Sequence, residues 1–156
     1  MNSELDIKDR LFSALVYLIP LYYALPFGQF LLRQFPVLQI IEIPVIPIAI
    51  VYGSIPFAGF IVFIALYAAV INNPNISRFI RFNTMQAILI DVLLFVIGLI
   101  MSFVAQSFGA TLITETLYNL VFLGSLAACV FGIVESIRGN YADLPVLSET
   151  VNNQVP

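Results

Sequence analysis

Residues 11–32, LFSALVYLIPLYYALPFGQFLL, run for 22 positions without a charge. Roughly 20 apolar residues in a helix cross about 30 Å of hydrocarbon, so this stretch is long enough to span a bilayer. Three further runs are comparable. Residues 37–71 carry only Glu42, residues 79–106 only Arg81 and Asp91, and residues 117–137 only Glu135. Soluble domains are about 25% charged. Here 61% of the side chains are hydrophobic and 10% charged, with a mean hydropathy of +1.03. The solvent for such a chain is lipid. The expected fold is all-α: a polytopic membrane protein, one bundle of four transmembrane helices at 11–32, 52–71, 79–106 and 117–137. Short polar tails are expected at 1–10 and 138–156.

Prolines set the details. Pro20 and Pro26 should kink or end the first helix, because each lacks an N–H and clashes with the preceding turn. Residues 37–71 are too long for one straight crossing and too short for two with a turn. Pro44 and Pro47 break any helix in the early part, which leaves 52–71 as the second span. The approach VLQIIEIPVIPIAI is then interfacial, with Glu42 at the headgroups, or re-entrant. A re-entrant path would need its free carbonyls covered by protein.

Four spans place Lys8, Arg10, Arg78, Arg81 and Arg138 on one side (here called cis) and Arg33 alone on the other (trans). By the positive-inside rule this five-to-one bias is decisive for both termini lying on the cis side. Tyr22, Tyr23, Tyr52 and Tyr118 are expected near the trans interface, where amphipathic rings settle. The opening MNSELDIKDR is neither a positive secretory leader nor an acid-poor transit peptide. The chain is therefore expected to act as made or to have lost a presequence.

Several chemistries lack their residues. There is no histidine, Cys129 is the single cysteine, and no phosphate loop or nucleophile–base arrangement occurs. No catalytic, cofactor-binding or metal-ligating residue is assigned, and no cofactor is expected. Six basic residues without a basic face also argue against nucleic acid.

The polar stretch NNPNISRFIRFNTMQ carries the more informative signals. NNPN reads as a turn, and Asn75 or Ser77 can cap the helix that follows. Arg78 and Arg81 then lie in its first turn, against the helix dipole. Lipid headgroups or the acids of a partner protein would account for that placement. Asn83, Thr84 and Gln86 are headgroup contacts or hydrogen bonds within the bundle. Asp91, about 13 Å deep at 1.5 Å per residue, must face the bundle or a wet cavity. It is a clasp to Ser13 or Tyr17, or a polar lining of a pathway, or a proton-responsive group. Gly124, Ala128, Gly132 and Ser136 form a small-residue row suited to close helix packing. That packing is internal, or against another subunit or a second copy. Glu135 and Arg138, three apart, should pair.

The segment NPNISRFIRFNTMQAILID, with DRLFSALVYLIPLYYALPFGQFLLRQFP and SIPFAGFIVFIALYAAVI, resembles the twenty-kilodalton subunit family of the TIC complex, the translocon at the chloroplast inner envelope. The likeness is dense over 9–91 and looser in the last helix. It implies four membrane helices with both termini in the stroma, or in the cytoplasm for cyanobacterial members. It also implies other translocon subunits and translocating polypeptide as partners, besides the bilayer. A cyanobacterial or plastid-encoded member is expected, located in the plasma membrane or the inner envelope. The function it implies is a translocon subunit that forms or scaffolds a route for polypeptides. The alternatives are a small-solute transporter or channel and a non-conducting scaffold.

Overall fold

Pro20 leaves its mark four residues upstream. In the computed structural model, which describes residues 5–156, helix α1 (Ile7–Leu15) stops at the carbonyl that the Pro20 ring would strike. The chain turns at Val16 and Tyr17 and resumes as α2 (Leu18–Ala24). Pro26 starts a tighter 3-10 turn (Leu25–Gly28), which leads into α3 (Gln29–Gln34). The kinks segment the first crossing without ending it. Ile7–Gln34 is one continuous helical run.

The return path differs from a single span at 52–71. Pro36–Val45 is a 3-10 helix that tolerates Pro44, and α4 (Ile46–Ser54) begins with Pro47 in its first turn, where a missing N–H costs nothing. The prolines change the type of helix instead of abolishing it. Gln39 donates to the Leu32 carbonyl at 3.4 Å, and Val45 clusters with Leu21 and Cys129. The segment thus folds back along α3 and α2. Tyr52 then packs edge-on to Tyr22 at 5.3 Å between ring centres, which sets the end of α4 beside α2.

Pro56 supplies the break that follows. Ile55, before the proline, is extended, as its clash with the ring requires. Phe57 takes a left-handed conformation, φ 58°, and α5 (Ala58–Ala65) starts anew. It continues as a π-helical turn (Leu66–Ile71) down the side of the next helix. At 14 residues this run is about 20 Å long, less than a bilayer core.

Two long helices complete the fold. Ser77 caps α6 (Arg78–Phe108) by accepting from the Ile80 N–H, and Thr111 caps α7 (Leu112–Arg138), which ends at left-handed Gly139. No strand occurs among the described residues. Among the described residues, four helices are long and apolar enough to cross a membrane: Ile7–Gln34, Pro36–Ser54, Arg78–Phe108 and Leu112–Arg138. The core lies where α1–α3, α6 and α7 meet, around Tyr17, Phe27, Ile90 and Phe122.

The residues after α7 are no loose polar tail. They fold back over the cis end as α8 (Leu147–Gln154), whose Val151 joins Val155, Phe82, Met85 and Ile88 in a buried cluster. Residues 82–88 of α6 are consequently buried on every face.

Candidate functional site

The cis end is held by amides and hydroxyls. Tyr17 sits at the break between α1 and α2 and is fully buried. Its hydroxyl donates to Asn83 Oδ1 at 2.8 Å and accepts from Gln86 Nε2 at 2.9 Å. Asn83 also accepts from Ser136 Oγ of α7 at 3.2 Å and donates to the Phe79 carbonyl. Gln86 donates to the Ala142 carbonyl at 3.1 Å and accepts from Ser148 Oγ at 2.9 Å. Ser148 in turn accepts from the Leu144 N–H at 2.7 Å. Two amides on one face of α6 therefore connect the α1–α2 break, α7 and the returning chain. Of the two alternatives for Asn83 and Gln86, headgroup contact is corrected: both are 0% exposed and bonded inside the bundle. Buried neutral groups with satisfied partners hold position without placing charge in an apolar interior.

The arginines also find partners within the chain. Arg81 donates from Nε to the Ile71 carbonyl at 2.7 Å. That carbonyl ends the π-helical turn, where orphan acceptors and the negative end of a dipole favour a cation. The same guanidinium reaches the Pro156 carbonyl at 3.4 Å. Arg78 donates to Asn152 Oδ1 of α8 at 2.9 Å and lies 5.5 Å from the centre of the Tyr141 ring. Tyr141 is wedged edge-on between Phe79 and Phe82. The unfavourable position at the start of α6 is thus offset by the neighbouring helix end and by the C-terminal segment. Glu135 and Arg138 pair at 3.1 Å.

The small-residue row divides. Gly132 and Ser136 are buried, Ala128 is partly covered and Gly124 is exposed, with open space around its missing Cβ. Residues four apart drift about 40° around a helix at each step, so one row cannot keep a single face over three steps. The inner face of α7 runs instead through Phe122, Ser125, Cys129, Gly132 and Ser136. A Cβ on Gly132 would lie 2.5 Å from the Tyr17 ring, which makes this glycine the seat of the buried tyrosine.

Asp91 makes neither expected clasp, since Tyr17 is bonded to Asn83 and Gln86, and its own Oδ1 is buried without a partner among the described residues. It lines a cavity of about 560 Å³ between α5 and α6, shared with Tyr23 and Tyr52. Tyr22, Tyr23 and Tyr52 form one aromatic cluster. They pack at the level of Asp91, midway along α6, and not beyond its far end. Tyr118 lies further along, against Phe27 and Phe30.

Sequence reading missed the C-terminal contribution of Tyr141, Ala142, Ser148, Val151 and Val155. One signal was available: Leu147, Val151 and Val155 recur every four residues, the spacing of an apolar helical stripe.

Kinked and broken apolar helices, a polar hub sealed by the chain's own C-terminal helix and an acid at mid-depth define a polytopic α-helical membrane protein. The sequence pattern of the family described as "Chloroplast import apparatus Tic20-like" matches residues 6–151. The chain belongs to this Tic20 family. It is 57% identical over 155 residues to a Tic20 family protein of Synechocystis sp., covering 99% of this chain and 97% of the relative. It is 36% identical to "Protein TIC 20-v, chloroplastic" of Arabidopsis thaliana, over 99% of this chain and 74% of that one. The Tic20 family protein Ycf60 of Porphyra purpurea is 31% identical over 99% and 79%.

Proposed function

We propose that this chain is a membrane-embedded subunit of a protein translocon, which helps to form or scaffold a route for polypeptides across a cyanobacterial plasma membrane or a plastid inner envelope. The observation that carries this reading is the family match over 6–151, to a family described as chloroplast import apparatus. The packing supports a route outside the bundle axis. Tyr17, Phe122 and Cys129 fill the space between the main helices and are 0% exposed, so the bundle axis is occupied by side chains. A polypeptide would pass beside the bundle, between it and partner subunits or further copies. The outer faces suit such contacts or lipid: Phe95, Phe103 and Leu120 are all more than 60% exposed. Both termini are on the cytoplasmic or stromal side in this proposal, by the five-to-one basic bias.

Photo-crosslinking to an arrested precursor tests the reading. A photoreactive residue placed in turn at Phe95, Phe103, Leu120 and Phe131 should give precursor adducts on at least one face, with none from buried Phe122. The tagged chain should also retain partner proteins in mild detergent. Absence of adducts from every exposed position, together with purification of the chain alone, would overturn it in favour of a transporter. One observation supports that second reading, namely the acid in the mid-depth cavity, since ionisable groups in membrane spans often mark solute or proton pathways.

A further inference from the structure

The cavity between α5 and α6 has the composition of a binding site. Its volume, about 560 Å³, falls within the roughly 300–1,000 Å³ typical of small-molecule pockets. The wall is apolar except for the Asp91 carboxylate and the hydroxyls of Tyr23 and Tyr52. A few convergent polar groups in an apolar lining are what fix a ligand's orientation. The Asp91 carboxylate lines this space, and its Oδ1 accepts no hydrogen bond within the described chain, so the acid is left without a donor although two hydroxyls share its wall. Gly59 keeps the Tyr23 hydroxyl at the wall, because any Cβ there would collide with that oxygen.

The rim identifies the phase from which an occupant comes. Phe60, Val92 and Phe95 border the cavity and are 67%, 45% and 68% exposed. They lie on α5 and α6 at the depth of Asp91, where the surroundings of a spanning helix are hydrocarbon. A polar solute from water would have to cross that surface. A lipid-phase molecule enters directly.

We propose that this cavity binds a lipid-phase molecule with an apolar body and one hydrogen-bond donor, an alcohol or an ammonium. Its donor bonds to the Asp91 carboxylate, and its body lies against Phe60, Phe63 and Phe95. The proposal does not depend on what the protein transports.

The full chain in phosphatidylcholine nanodiscs, labelled with diazirine-bearing hexadecanol, hexadecylamine and hexadecyl methyl ether, tests the assignment. Adducts are mapped by mass spectrometry, and Cys129 protection confirms the fold of each variant. At least one donor probe should label the cavity residues saturably. The methyl ether, which lacks the donor, should require about tenfold more, the equivalent of one lost hydrogen bond. Asp91→Leu should lower saturable labelling by the donor probe to the level of the ether. Asp91→Asn keeps an acceptor and should retain the alcohol. The ranking of alcohol and amine in the wild-type chain then says which donor the site takes. Equal labelling by all three probes, non-saturating labelling shared with the outward-facing Leu123, or an Asp91→Leu variant that binds as the wild type does would each overturn the proposal.

Discussion

Gly132→Ala adds one methyl group and should disrupt the most tightly packed point of the bundle. The new Cβ would lie 2.5 Å from two atoms of the Tyr17 ring and 2.7 Å from a third. The ring has little freedom to retreat, since it is 0% exposed and its hydroxyl is held by Asn83 and Gln86 at 2.8 and 2.9 Å. Overpacking of this kind costs roughly 1–3 kcal/mol. Weakening two buried hydrogen bonds adds roughly 0.6 kcal/mol for each in a membrane protein. Alanine returns about 1 kcal/mol of helix propensity, which leaves a net loss of roughly 1–3 kcal/mol. The matched control is Gly124→Ala, eight residues away on the same helix, where nothing lies within 4 Å of the added carbon. It should be neutral or stabilising by up to about 1 kcal/mol. Cys129 is the assay: it is the single cysteine and is fully buried, so a fluorogenic thiol dye reports unfolding in detergent. At roughly 2–4 °C per kcal/mol for a chain of this size, Gly132→Ala should melt several degrees below the wild type. Indistinguishable midpoints for the two glycine variants would refute the reasoning.

Three further outcomes are expected. In a Cys129→Ser background, single cysteines at Asn75 and Phe108 should be modified from opposite sides of the membrane, and labelling of both from one side would rule out the proposed topology. Val151→Asp should release α8, because full burial of valine contributes about 1.5–3 kcal/mol and a carboxylate there has no partner. Limited proteolysis should then remove the C-terminal segment with the bundle intact, whereas an equally protected segment would mean that its docking does not depend on Val151. Arg81→Lys should insert normally but expose the same segment more readily, since lysine lacks the planar fork that spans the Ile71 and Pro156 carbonyls. Unchanged protection would return Arg81 to a purely topological role.

The all-helical membrane fold was legible in sequence because its cause is local. Uncharged runs of about 20 residues satisfy their backbone only as helices in hydrocarbon, and Ser77 and Pro20 act within a turn of their own positions. The path of 36–71 was less so. A proline forbids an α-helix through itself but leaves open a 3-10 helix or a change of direction. The packing of Val45 with Leu21 and Cys129, and of Tyr52 with Tyr22, decides between them.

The same division holds for the side chains. Sequence alone singled out Arg78, Arg81, Asn83, Gln86 and Asp91, because polar groups in an apolar chain must be accounted for. It could not say by what. The partners of Asn83 and Gln86 are Tyr17, Ser136, Ala142 and Ser148, residues 53 to 69 positions away, and only the fold brings them together. Asp91 was open to a clasp with Ser13 or Tyr17 or to a place in a polar lining; Tyr17 bonds Asn83 and Gln86 instead, and Asp91 lines a cavity. Periodicity and charge determine which groups need partners. Which partner each receives is decided by helices that meet only after the chain has crossed the membrane and returned.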